Sequence, residues 1–144
     1  MDLKFSVKAT WQGVGKEGEG ELALGGAELR YSAPASMGGK GVGASPEDLL
    51  LSAVTACYSG TLMRILAEKH LPAASVHLET EGVVENFPEK AKFAQITVSP
   101  TIHGGDAGAT TRYREAAELA REHCFTGRTV RDYLTYSVGE VVVK

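Results

Sequence analysis

The stretch Ser45 to Pro72, SPEDLLLSAVTACYSGTLMRILAEKHLP, decides the fold. Ser45 is a good helix N-cap, because its side-chain oxygen can accept from an orphan N–H of the first turn. Pro46 suits the first helical position, and Glu47 and Asp48 favour the positive end of the helix dipole. These signals predict a helix from Pro46 to about Lys69, ended by His70-Leu71-Pro72. Its middle, Leu49 to Leu66, is apolar on nearly all sides, so burial on nearly all sides is expected. In a 144-residue chain such a helix must be wrapped by sheet, by other helices or by a second subunit.

The uncharged run inside it, Leu49 to Met63, is 15 residues long and contains Ser52, Thr55, Ser59 and Thr61. That is shorter than the roughly 18 residues that suggest a membrane span. Met1 to Ser6 has no basic segment leading into an apolar run, so no secretory signal is expected. The reading is a buried helix in a cytoplasmic protein, with no membrane partner.

Upstream, Leu3 to Trp11 alternates in part and predicts a strand. Gln12 to Gly20 is a glycine-rich turn. Glu21–Leu24 and Glu28–Ala33 predict a hairpin across Gly25-Gly26. Ala35 to Ala44 is a loop whose dense glycines imply either mobility or close backbone approach. It lacks the GxxxxGK[ST] pattern of a phosphate loop. Downstream, Ser75–Val84 and Lys92–Ile102 alternate well and predict an antiparallel pair across Asn86-Phe87-Pro88. Thr110 to Cys124 predicts an amphipathic helix with Gly127 as its stop. Arg128–Tyr133 predicts a further helical turn, and Leu134–Lys144 a final strand. Strands come in runs, so the fold class is α+β with mainly antiparallel sheet. No repeat and no second domain is visible, which makes residues 1–144 one domain.

Charged residues make up 23% of the chain and the net charge is −3. The 15 Lys and Arg are scattered, so no basic face for nucleic acid is expected. Only two cysteines occur, too few for a disulfide framework, and 67 positions separate them, so they form no CxxC motif. No His or Asp cluster adjoins either one, which argues against a structural zinc site. Trp11 and Tyr58 are expected in the core or in a pocket wall. The four histidines share no spacing and receive no role.

Cys57 falls in the middle of the apolar helix and Cys124 at the end of the second helix. A nucleophilic thiol must ionise; burial opposes this, so Cys57 needs a nearby cation. Cys124 lies at the partially negative end of a helix. Cys57 is therefore the better attacking thiol and Cys124 the better resolving thiol. Glu47 lies ten residues before Cys57, about 15 Å along one helix. If Glu47 serves a Cys57 site, it comes from another subunit or orients a bridging cation. A dimer with sites at its interface is the expectation.

The segment Ser45-Pro-Glu-Asp-Leu through Ala56-Cys57-Tyr58 resembles the signature of the OsmC/Ohr family, Asn-Pro-Glu-x-Leu followed by a small, apolar stretch and Ala-Cys-Phe or a variant. Ala9-Thr-Trp-Gln-Gly and Lys16-Glu-Gly-Glu-Gly20 are similar to the family's first strand and hairpin, and Cys124 follows a helix as the family's second cysteine does. The resemblance covers nearly the whole chain. It implies an OsmC-like fold in an intertwined homodimer, with long central helices enclosed by sheets from both chains. It also implies an antioxidant thiol peroxidase of the oxidative stress response, reducing organic peroxides and hydrogen peroxide. Cys57 attacks the peroxide, Cys124 closes a disulfide, and a dithiol reductant, lipoyl-type or a small thiol, resets the pair. Neither a metal nor an organic cofactor is implied.

The family's peroxidases pair the motif glutamate, here Glu47, with an arginine. One subgroup's arginine position holds Met37 here, and the nearest match to the other subgroup's is Lys16. Arg30 is the only arginine before the helix, and Lys40 is a further cation in the loop. Cation candidates are therefore Lys40, Lys16 and Arg30; Tyr58 and Met37 are pocket candidates. Phe125 follows Cys124 where many members carry proline. The rival reading is a non-enzymatic OsmC-like dimer that binds a small apolar ligand and lacks the activating arginine.

Overall fold

A computed structural model describes residues 1–144. The chain divides into two compact units, Met1–Leu50 and Leu51–Lys144.

The first unit carries an antiparallel sheet of β1 (Lys8–Gln12), β2 (Glu19–Leu24) and β3 (Ala27–Tyr31), in that order. The β2–β3 turn is Gly25-Gly26, as expected, with Gly25 left-handed at φ 56°. The first strand starts at Lys8 rather than Leu3, since its pairing with β2 begins there. Leu3, Phe5 and Val7 stand exposed outside any strand. Trp11 is 45% exposed rather than buried in a core. Its ring tilts against Tyr31 with centroids 5.5 Å apart, and its Nε1–H donates to the Gly13 carbonyl at 2.9 Å.

The loop at 35–44 is tied to the strand before it. The Val42 N–H donates to Ser32 Oγ at 2.7 Å, and Ser32 Oγ donates back to the Val42 carbonyl at 3.0 Å. The Ala44 N–H donates to the Arg30 carbonyl at 3.0 Å and the Gly41 N–H to the Ala33 carbonyl at 3.1 Å. Gly43 has φ 66°, and a Cβ there would strike the Arg30 carbonyl. Close backbone approach explains this glycine.

Helix α1 spans Pro46–Glu68. Its start is a reciprocal cap: the Asp48 N–H donates to Ser45 Oγ at 3.1 Å, and the Ser45 N–H donates to Asp48 Oδ2 at 2.9 Å. It stops where His70 turns left-handed at φ 56° and the Leu71 N–H reaches back to the Leu66 carbonyl at 2.9 Å.

The second unit continues α1 into β4 (Ser75–Glu85), β5 (Lys92–His103), α2 (Thr110–His123), α3 (Phe125–Val130), β6 (Thr135–Val138) and β7 (Val142–Val143). The β4–β5 hairpin is antiparallel as expected, with a register shift at Val83/Val84. Both β6 and β7 pair with β5 in parallel, because the helices between carry the chain back across the sheet. The core joins Val54, Tyr58 and Leu62 of α1 to Ile96 and Val98 of β5 and Ala117 of α2.

Two expectations change. First, α1 is not buried all round: Val54, Tyr58, Leu62 and Ile65 form one buried stripe, while Ala53, Ala56 and Gly60 remain exposed. By length and composition α1 is apolar enough to cross a membrane, with an 18-residue window of mean hydropathy 1.5. That window runs longer than the uncharged run alone. Here α1 serves as a core helix, its stripe filled by β5 and α2. Second, Gly127 does not stop a helix; it lies buried inside α3, which begins directly after Cys124 rather than at Arg128.

Candidate active site

Cys57 sits midway along α1, half-buried, and Cys124 is fully buried between α2 and α3. Cys124 caps both helices. Its N–H closes α2 by donating to the Ala120 carbonyl at 2.9 Å, and its Sγ opens α3 by accepting from the Gly127 N–H at 3.4 Å. A sulfur in the N-cap role accepts weakly, but it brings the first N–H groups of α3 to the thiols.

Those groups decide the electrostatics. Burial pushes the Cys57 thiol up. The Thr126 N–H, the Cys124 thiol, the Thr126 hydroxyl and the Phe125 N–H all favour its thiolate and outweigh burial, so Cys57 lies below the ordinary thiol range. Cys124 goes the other way. Burial pushes it up to about 11; the Gly127 N–H and Tyr136 oppose the rise, while the Cys57 thiolate adds to it. Cys57 is therefore the thiol of the pair that ionises more readily and Cys124 the one that keeps its proton, its S–H directed at the Val54 carbonyl at 4.0 Å.

Cys57 and Cys124 are thus neighbours, across 67 positions of sequence. The cation anticipated beside Cys57 is not among the principal groups lowering it; neutral N–H and O–H donors take that part. Arg30 and Lys40 both bind Glu19, at 2.6 and 3.2 Å, and hold its carboxyl below the usual range. The Lys16 side chain lies beside Gly38. Met37 ends a single 3₁₀ turn, Ala35–Met37, half-buried. Glu47 lies in the first turn of α1 and makes no side-chain hydrogen bond. Tyr58 is fully buried, and its hydroxyl donates to the Ala117 carbonyl at 2.9 Å, which makes it a core anchor between α1 and α2.

Sequence reasoning passed over Thr126, Tyr136 and Glu19, and took Gly127 for a helix stop. For Thr126 a signal existed: Cys124-Phe-Thr-Gly reads as a cap followed by a helix start once a thiol is admitted as an acceptor. Tyr136 carries no local signal, because only sheet pairing brings β6 to the thiols.

A family model described as OsmC-like protein matches residues 38–138, well over half of the chain. The chain belongs to the OsmC-like family. Another protein similar to it is the uncharacterized YmaD of Bacillus subtilis (strain 168), 25% identical over 133 residues, covering 90% of this chain and 88% of that one. Among solved structures, an OsmC-like protein of unknown function from Vibrio cholerae superposes with a TM-score of 0.79 at 14% identity, covering 98% of this chain and all of that one. An organic hydroperoxide resistance protein from Elizabethkingia anophelis gives 0.76 at 17% identity, with both chains fully covered. One from Vibrio cholerae, with captopril bound in one of its active sites, gives 0.68 at 23% identity, covering 96% and 94%. At these identities the likeness establishes the OsmC-like α+β fold.

Proposed function

We propose that the chain is a cysteine-based hydroperoxide reductase. The observation that carries this reading is the asymmetry of the thiol pair: Cys57 is half-exposed and favoured as thiolate, and buried Cys124 beside it is kept protonated. In this reaction the Cys57 thiolate attacks the distal oxygen of an organic hydroperoxide. The O–O bond breaks, Cys57 becomes a sulfenic acid, and the alkoxide takes a proton and leaves as an alcohol. Cys124 then condenses with the sulfenic acid, releasing water and closing a disulfide. A dithiol reductant, lipoyl-type or a small thiol, reopens it by exchange. Two of the structural relatives are named organic hydroperoxide resistance proteins, which agrees with this chemistry and with a place in the oxidative stress response. The setting we assign is cytoplasmic, with residues 1–144 acting as one OsmC-like domain.

The working form we assign is a homodimer. Leu3, Phe5 and Val7 stand exposed, as do Ala53, Ala56 and Gly60 on the open side of α1. A second copy supplies apolar cover for both surfaces. It also gives Glu47 a route to a Cys57 that it cannot reach along its own helix. Sedimentation tests this: a dimer is expected, and a stable folded monomer contradicts it.

One observation favours the rival reading of a ligand-binding dimer without redox turnover: Arg30 and Lys40 are both engaged by Glu19. Thiol titration before and after a modest excess of cumene hydroperoxide separates the two. Loss of both free thiols and recovery with dihydrolipoamide support the reductase. Survival of both thiols rejects it.

A further inference from the structure

Tyr136 is 5% exposed, and its hydroxyl has no hydrogen-bond partner. An unpaired buried hydroxyl costs stability, on the order of 1–3 kcal/mol, so its retention calls for a reason. Its surroundings hold it in place. The ring packs against Gly127, where a Cβ would collide with it. The Tyr136 carbonyl accepts from Arg121 Nη1 at 3.4 Å, which ties β6 to α2. The Gly127 that makes room for the ring also donates its N–H to the Cys124 sulfur, at 3.4 Å.

The Cys124 sulfur lies beside the hydroxyl without meeting hydrogen-bond geometry, its own S–H directed at the Val54 carbonyl at 4.0 Å. The titratable groups facing that sulfur are Cys57 and Tyr58 from α1 and Tyr136 from β6. Tyr58 already donates to the Ala117 carbonyl at 2.9 Å. Tyr136 alone among these groups has a free O–H to give.

We propose that Tyr136 is the positioning residue for the resolving thiol, its hydroxyl donating to the Cys124 sulfur as that sulfur loses its proton. With the Gly127 N–H it forms a two-donor cradle for a transient thiolate. Burial and the neighbouring Cys57 thiolate both resist ionisation of Cys124. Oxidation of Cys57 to the sulfenic acid removes the second obstacle, and the cradle offsets the first. Cys124 then gives up its proton, its electron pair forms the S–S bond as the S–O bond of the sulfenic acid breaks, and hydroxide and proton leave as water. Tyr136 is unchanged at the end. The orphan hydroxyl of the resting state is the donor that this step requires.

The inference rests on the hydroperoxide-reductase reading only for the source of the oxidation at Cys57. The test therefore uses two oxidants: cumene hydroperoxide and diamide, which takes two electrons and two protons from a dithiol and becomes a hydrazine. Wild type, Tyr136→Phe and Tyr136→Leu are oxidised, quenched with dimedone and iodoacetamide, and analysed by mass spectrometry across pH. In Tyr136→Phe, Cys57 is expected to react with the hydroperoxide at the wild-type rate. Disulfide closure slows about tenfold with either oxidant, the dimedone adduct accumulates after hydroperoxide, and the closure profile moves to higher pH. Tyr136→Phe closing at the wild-type rate and with the wild-type profile overturns the proposal. So does slowing confined to Tyr136→Leu, since that marks the ring as packing alone. If wild type ignores the hydroperoxide while diamide closure still depends on the hydroxyl, the reductase reading falls and the Tyr136 assignment stands.

Discussion

The two units of the chain handle apolar side chains in opposite ways. In Leu51–Lys144 every large buried hydrophobic of the chain is found, from Val54 to Val141. In Met1–Leu50 every residue of β1 is exposed, and the buried positions are only Gly18, Gly20, Ser32 and Ser45. Burial drives folding in proportion to the apolar area removed from water. The second unit therefore contains its own driving force. The first is held by strand pairing, by the backbone bonds of the 35–44 loop and by the Glu19 cluster. Exposed Leu3, Phe5 and Val7 are apolar surface awaiting cover, and we assign that cover to a second copy. Both thiols and the donors around them lie in the unit with the core, where tight packing can hold a reactive pair in register.

This contrast is open to test, beginning where the expected effect is largest. Cys57→Ser should bring hydroperoxide consumption to the uncatalysed level in a coupled dihydrolipoamide assay. A variant that still turns over peroxide at the wild-type rate would move the chemistry away from the core unit. Leu62→Ala, in the buried stripe of α1, should cost about 2–5 kcal/mol in urea unfolding through the cavity it leaves. Loss below about 0.5 kcal/mol would mean that the second unit's core is not what holds the fold.

The thiols give a pH signature of intermediate size. Cys124 rises from 9.0 to about 11 on folding. Between those values the folded chain keeps a proton that the unfolded chain has lost, so this group's contribution to stability falls as pH rises across the window. Cys57 is lowered, so its contribution grows with pH just below the ordinary thiol range. In iodoacetamide trapping, Cys57 should react at lower pH than Cys124, and simultaneous modification at one midpoint would remove the asymmetry on which the proposed chemistry rests.

Ser45→Ala removes the reciprocal cap with Asp48 and should cost about 1 kcal/mol in the same unfolding assay. The smallest effect belongs to the uncovered unit: Val14→Ala, at a position 90% exposed, should change stability by less than about 0.5 kcal/mol. A larger loss at low protein concentration would show that Val14 is covered after all.

Much of the fold is legible in local signals. Ser45-Pro46 and His70 bound α1 to within one residue, the Gly25-Gly26 turn sets the β2–β3 hairpin, and the alternation from Ser75 to Ile102 predicts β4 and β5. These succeed because caps, turns and strand periodicity act over a few residues. The extent of the first strand is missed because strand state depends on a partner, and pairing begins only at Lys8. Gly127 is misread as a helix stop because a glycine that ends a helix and one that admits a ring look alike in one dimension. At the site, the choice of Cys57 and Cys124 and the unequal roles proposed for them come from the motif and from helix position. The donors around them do not, since Thr126 and Tyr136 act through space rather than along the chain.

The sequence by itself determined the α1 boundaries, the α+β class, the family motif and which two residues carry the thiols, because each depends on neighbours along the chain. Only the tertiary structure decided that the thiols meet, that Cys124 caps α3 with its sulfur, and that N–H and O–H groups favour the Cys57 thiolate. It also decided that Tyr136 stands unpaired beside Cys124. These depend on β6 returning in parallel to β5 or on α3 starting directly after Cys124, arrangements that no local pattern encodes.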